Sequence, residues 1–170
     1  MTTLPTIEEE VTLRPWRSDD AGDLHRAMQD PEIDRWLGDG EPYTLEDASR
    51  FIERTAERWA QRAAAHFVVE VEGRLAGYLG VLNVDGGTWE LVYWTLPECR
   101  GAGVARRGVA TALPWIADAI APVRLEAGML AGNTASAAVV TANGFRLDEV
   151  RRDTGVLDGA PHDEEIYVRG

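Results

Sequence analysis

The sequence predicts a mixed α/β (α+β) fold around one sheet, and three observations carry that expectation. Apolar periodicity switches between about 2 and about 3.6 residues, in the order β-αα-α-βββ-α-β-α-ββ. Only one strand–helix–strand crossover is plain, from residues 88–95 through a long helix to 123–130. Such a crossover is right-handed and makes its two strands parallel. A glycine-rich bend lies where the first of those strands gives way to the helix, a position where ligands bind in sheets of this kind. With 170 residues, no internal repeat and no linker, residues 1–170 read as one domain. A chain of that size buries roughly 70% of its unfolded surface.

The first strand covers residues 11–15, where Val11 and Leu13 alternate with Thr12 and Arg14. Ser18 reads as a helix N-cap, followed by Asp19 and Asp20, which favour the positive end of the helix dipole. Leu24, Ala27 and Met28 supply this helix with an apolar stripe, and Pro31 stops it. A short helical turn with Ile33, Trp36 and Leu37 leads into the loop Gly38-Asp39-Gly40-Glu41-Pro42. Thr44 and Asp47 form a capping box of the weaker Asp kind. Behind it Ala48, Phe51, Ile52, Thr55, Trp59 and Ala63 recur at helical spacing, predicting a long helix to about residue 64. Strands 66–71, 75–84 and 88–95 follow, separated by tight turns at Gly73 and Asp85-Gly86-Gly87. Val109, Ala112, Leu113, Ile116 and Ile120 mark the buried face of a second long helix, reaching about residue 119. Pro114 inside it predicts a kink or local break. The rest reads as strand 123–130, a helix from residue 135 closed by Asn143-Gly144, and strands 146–152 and 165–168. A loop through Asp158-Gly159-Ala160-Pro161 joins the last two.

Composition narrows the function. Apolar residues make up 45% of the chain and charged ones 27%, enough for an ordinary core and too apolar for a disordered chain. Acidic residues outnumber basic ones 29 to 17, a net charge of −12. That balance argues against a nucleic-acid partner and suits cationic substrates such as amines. No window approaches the ~18 apolar residues of a membrane span, so no membrane partner is expected. Met1-Thr2-Thr3-Leu4-Pro5 lacks the basic and apolar regions of a signal peptide. The single cysteine, Cys99, excludes an internal disulfide and a Cys-cluster zinc site. His25, His66 and His162 show no metal spacing, so no metal is expected. Together these features predict a cytoplasmic protein.

The chemistry concentrates at Arg100-Gly101-Ala102-Gly103-Val104-Ala105. Small residues let the backbone approach a ligand closely, and free N–H groups at a helix start suit phosphate oxygens. Arg106 and Arg107 follow directly and add positive charge. The pattern is neither a Walker A loop, since Lys-Ser/Thr is absent, nor a dinucleotide fingerprint. Arg-x-x-Gly-x-Ala, preceded by Leu96-Pro97-Glu98, resembles the coenzyme A pyrophosphate loop of the GNAT-superfamily N-acetyltransferases. The resemblance extends over nearly the whole chain. Leu13-Arg14-Pro15, Asp19-Asp20-Ala21 and Asp30-Pro31-Glu32-Ile33 resemble the opening of the ribosomal-protein N-acetyltransferase (RimJ/RimL) branch. Arg124-Leu125-Glu126, Asn133-Thr134-Ala135-Ser136 and Asn143-Gly144-Phe145 resemble its second half.

The resemblance implies a mostly antiparallel sheet with helices on both faces, whose parallel pair splays to admit CoA. It implies transfer of acetyl from acetyl-CoA to a primary amine by direct attack. The acceptor would be a protein or peptide N-terminus, or a small amine such as a polyamine or an aminoglycoside. A homodimer is compatible with the family. By position, Trp94, Thr95 and Leu96 would line the pantetheine arm, and Arg100, Gly101, Ala102, Gly103, Val104 and Ala105 would hold the pyrophosphate. Asn133 would fix the far side of the arm, and Ser136 would protonate the departing thiolate. Many superfamily members carry a tyrosine acid where this chain has Val140. Trp36 and Tyr43 flank the loop that would form a substrate wall.

The residues themselves nominate a base. Glu90 lies in the otherwise apolar run Trp89-Glu90-Leu91-Val92-Tyr93-Trp94, on the face of Val92 and Trp94. Burial there would raise its pKa and suit it to take a proton from an ammonium. Glu126 is the second choice, because its strand also flanks the cleft. A non-catalytic CoA-binding or sensing module is the alternative class.

Overall fold

The sheet positions everything else in a computed structural model that describes residues 4–8, 10–38 and 40–170. Met1 to Thr3 of the N-terminal segment and Asp39 of the early loop lie outside the described residues. Strands β1 (Ile7–Glu8), β2 (Thr12–Pro15), β3 (Ala64–Val71), β4 (Arg74–Asn83), β5 (Thr88–Thr95), β6 (Arg124–Leu130), β7 (Arg146–Leu157) and β8 (Ala160–Arg169) form one sheet. Their order among the described residues is β1-β2-β3-β4-β5-β6-β8-β7. All neighbours run antiparallel except β5 and β6.

Helices cover both faces. On one side lie α1 (Ala21–Met28), α2 (Pro31–Leu37) and α3 (Leu45–Ala60). Leu24, Ile33, Ala48 and Ile52 from these helices bury against Trp16, Val68, Trp94 and Leu96. On the other lie α4 (Val104–Trp115) and α5 (Thr134–Ala142). There Val104, Val109, Ala112 and Val140 pack on Leu13, Phe67, Leu79 and Leu91. No helix among the described residues is long and apolar enough to cross a membrane.

Local signals place most elements, with several corrections. Ser18 does not cap a helix; it opens a 3₁₀ turn, Ser18–Asp20, ahead of α1. Asp20 instead turns inward, taking Arg14 Nη1 and Nη2 at 2.7 and 2.8 Å and the Arg17 backbone N–H at 2.7 Å. Pro31 starts a helix rather than stopping one: α1 has ended at Met28, and Pro31 opens α2 beneath an Asp30 cap. The Thr44–Asp47 capping box forms as read. The long helix behind it stops at Ala60 because β3 already begins at Ala64.

Pro114 does not break α4. The chain continues through it and widens into a π turn, Ile116–Ile120, closed by Ala121 N–H on Ile116 O at 3.0 Å. The wider turn follows the point where proline withholds its N–H from the helix ladder. The loop expected near Asp158 is a tight hairpin. Asp158 and Gly159 both have positive φ, and Leu157 faces Ala160 across them. This two-residue turn matches the strand twist, so β7 and β8 extend right up to it.

Candidate active site

The site begins as a failure of strand pairing. β5 holds to β4 from Asn83–Trp89 to Gly77–Thr95. β6 holds to β8 from Leu125 to Leu130. Toward each other they pair at only three positions: Thr88 with Arg124, Trp89 with Leu125 and Glu90 with Glu126. Beyond Glu90 the sheet is open. A cavity of about 490 Å³ occupies the opening, walled by Leu91 to Thr95 on one side and Ala127 to Leu130 on the other. Past Glu90 and Glu126 the facing edges of the two strands have no ladder partner in each other.

One end of the cavity meets the start of α4. Gly101 and Gly103 both take φ +73°, the left-handed region that favours glycine. The first intrahelical bond of α4 runs from Arg107 N to Gly103 O at 3.0 Å. The N–H groups of Val104, Ala105 and Arg106 therefore have no partner in the helix, at the positive end of its dipole. All three residues line the cavity, with Arg100, Gly101 and Gly103. Arg100 is ion-paired with Asp30, which also takes the Ile33 N–H at 3.1 Å as the α2 cap. Burial would raise the Asp30 pKa, but Arg100 and the Ile33 N–H hold it below the usual carboxylate range. That pair ties the loop to α2.

The opposite wall carries a hydroxyl pair. Asn133 caps α5, its Oδ1 accepting the Ser136 N–H at 3.1 Å. Ser136 Oγ lies 2.7 Å from Tyr93 Oη. Tyr93 also donates to the Ser136 carbonyl at 2.9 Å. Burial pushes the Tyr93 phenol up to about 12. Asn133, Ser136 and Tyr93 all line the cavity.

Carboxylates gather where the strands part. A methyl group on Gly128 would sit 3.0 Å from Glu90 Oε1 and 3.0 Å from Glu164 Oε1, so the two oxygens flank one small residue. Burial raises the Glu90 pKa, and Glu164 and Glu126 raise it further; the Gly128 N–H and Arg151 pull it partly back. Glu126 is the more buried of the candidates, yet its carboxylate is committed to Arg124 Nε at 2.7 Å. It faces a separate cleft of about 360 Å³ shared with Asp148 and Arg151.

Of the residues expected at the site, Trp94, Thr95, Arg100, Gly101, Gly103, Val104, Ala105, Asn133, Ser136 and Trp36 line the cavity. Leu96 and Ala102 do not. Leu96 is buried in the core, its N–H bound to Ala76 O and its carbonyl to Cys99 N, so it has no backbone group left for an arm. Ala102 is exposed at the outside of the turn. Tyr43 packs against the α1–α3 core, and its carbonyl accepts Gln29 Nε2 at 2.9 Å, away from the cavity. Glu90 lies just off the lining, behind Gly128. Val140 is fully buried and offers no acid. The Cys99 thiol borders the cavity, but burial raises its pKa, the wrong direction for a nucleophile.

Two residues escaped the sequence reading. Tyr93 shares its strand face with the buried Leu91 and Trp89, and a hydroxyl on a buried face needs a partner. Glu164 continues the alternation of Ile166 and Val168 one step further, into the part of β8 read as loop.

Comparison with known proteins agrees with this geometry. Residues 10–146 match the acetyltransferase (GNAT) domain family. RimJ of Mycobacterium smegmatis, in complex with CoA-disulfide, superposes with a TM-score of 0.85 at 24% identity, covering 98% of this chain and 86% of that one. The ribosomal-protein-S5-alanine acetyltransferase of Vibrio fischeri gives 0.86 at 22% identity, covering 97% and 96%. The microcin self-immunity acetyltransferase MccE, in complex with acetyl-CoA and AMP, gives 0.82 at 20% identity, covering 95% and 93%. No curated protein matches by sequence.

Proposed function

The chain belongs to the GNAT acetyltransferase domain family, and from that premise we propose that it transfers acetyl from acetyl-CoA to a primary amine by direct attack. The observation that carries this reading is the opening between β5 and β6, which joins a phosphate-ready helix start to a raised carboxylate. The pyrophosphate would rest on the N–H groups of Val104 to Arg106 beside Gly103. The pantetheine arm would follow the free edges of β5 and β6, with the Asn133 amide on its far side.

Glu90, beside Gly128 where the strands part, would take the proton of the incoming ammonium, directly or through a water. Its raised pKa keeps the required proton affinity closer to neutral pH. The nitrogen lone pair then forms the C–N bond, the C–S bond breaks, and the electron pair leaves on sulfur. Ser136 Oγ, on the cavity wall, would face that sulfur. Glu90 and Glu164 make the acceptor side negative, which favours cationic amines. A peptide N-terminus, as for the ribosomal-protein enzymes of the same fold, and a small polyamine both meet that requirement. A cytoplasmic setting, with its acetyl-CoA, suits either acceptor.

The test couples binding to turnover. Acetyl-CoA at ~100 times its dissociation constant should stabilise the fold by about 2.7 kcal/mol, read as a higher melting temperature. Thiol release should then appear with some member of a panel of peptides, polyamines and aminoglycosides. An unchanged melt in millimolar acetyl-CoA refutes the site. A shifted melt with no thiol release from any amine leaves a CoA-binding module without transfer.

A further inference from the structure

We propose that Tyr93 is the positioning residue for Ser136, setting which way the serine hydroxyl donates; the proposal rests on the transfer reading above. Three oxygens meet here: Tyr93 Oη, Ser136 Oγ at 2.7 Å and Ser136 O at 2.9 Å. Two hydroxyl protons serve them, so only two arrangements are consistent. In the first, Tyr93 donates to the Ser136 carbonyl and Ser136 donates back to Tyr93, and the cavity sees only serine lone pairs. In the second, Tyr93 donates to Ser136 Oγ, and the serine O–H is released toward the cavity. The Ser136 carbonyl loses little in the exchange, because it lies inside α5, where the helix ladder also uses it.

The second arrangement is the one a developing thiolate favours. As the C–S bond breaks, its electron pair stays on sulfur, and the serine O–H turns to donate to it. Tyr93 rotates its own proton from the carbonyl to Oγ, strengthening the serine as a donor. No proton leaves either hydroxyl. The phenol, held at about 12 by burial, is too weak an acid to give one up to a thiolate. The amine gives up two protons, one before attack and one from the nitrogen of the adduct; both go through Glu90 to water, and the thiolate takes one from water after release. Asn133 caps α5 through the Ser136 N–H, which fixes the place of Ser136 at the cavity wall.

A double-mutant cycle separates this role from packing. Tyr93→Phe removes only the hydroxyl, and kcat should fall about 3- to 10-fold, the value of one hydrogen bond, with KM for acetyl-CoA nearly unchanged. Ser136→Ala should fall at least as far. In the Ser136→Ala background, Tyr93→Phe should then cost nothing more. Additive losses, or a Tyr93→Phe enzyme with full kcat, overturn the proposal while the transfer reading stands. A wild type inert toward every amine removes both. If Tyr93→Phe folds poorly, tyrosine ring-carbon NMR of the wild type still decides: Tyr93 must stay neutral through pH 10, and ionisation below that overturns a role as fixed donor.

Discussion

Replacing Glu90 with glutamine should make the protein more stable and the enzyme slower, and the two effects have one cause. Glu90 Oε1 and Glu164 Oε1 each lie 3.0 Å from the same point beside Gly128, so they are at most about 6 Å apart. At an effective dielectric near 20, two charges that far apart repel by about 3 kcal/mol, before Arg151 offsets part of it. Burial and both neighbouring carboxylates raise the Glu90 pKa above its unfolded value. The folded state therefore binds more protons than the unfolded one near that pKa. Stability from this group is full at low pH and is lost as pH rises through the folded value. Glu90→Gln removes the buried charge while keeping the shape. Differential calorimetry at pH 8 should show a gain of roughly 1 kcal/mol or more, about 2–4 °C in a chain of this size. The same substitution removes the proton acceptor, so kcat should fall ~10²–10⁴-fold at pH 7. The loss should narrow as pH approaches the pKa of the amine, where free amine exists without help. A variant that is destabilised at pH 8, or whose loss is the same at every pH, would show that Glu90 is a structural residue and not a strained base.

Two further outcomes follow from the geometry. Gly103→Val forces a β-branched residue to φ +73°, a cost of about 1–2 kcal/mol, although a Cβ there would meet only Arg107 Nη1 at 3.7 Å; acetyl-CoA affinity measured by calorimetry should drop roughly 10-fold or more, and wild-type affinity would mean the turn does not hold the pyrophosphate. His66, buried with its Nδ1 on Tyr78 Oη at 2.8 Å, has its pKa lowered from 6.5 to about 4 by burial and by Arg58. The unfolded chain therefore binds the extra proton first, and between pH 6.5 and 4 stability should fall by up to about 3 kcal/mol as pH drops. Melting curves across that range should show the decline in wild type and not in His66→Gln; equal slopes would remove His66 as the cause.

The parts of the fold legible in the sequence are those fixed within a few residues. Thr44 and Asp47 cap a helix because both partners lie in one turn. Glu72-Gly73 turns back because both residues take positive φ. What escaped depends on burial or on distant partners. β7 breaks its regular pairing just where the reading stops, with Asp153 at positive φ and a register shift against β8 between Arg151 and Gly155, so its far half reads as loop. With β7 shortened, β8 loses its first half, and Glu164 drops out of the site. Tyr93 and Ser136 stand 43 residues apart, and nothing local announces their hydrogen bond. The choice between Glu90 and Glu126 lies between these cases. Arg124 and Glu126, two apart on one strand, must share a face, and the 2.7 Å ion pair between them follows from that spacing. That carboxylate is held in an ion pair facing the separate cleft rather than the opening between β5 and β6. Glu90 has no cation two residues away on either side, only Thr88 and Val92. Spacing along the strand thus separates the glutamate already ion-paired from the one with no cation on its own strand, whose charge Arg151 offsets only in part.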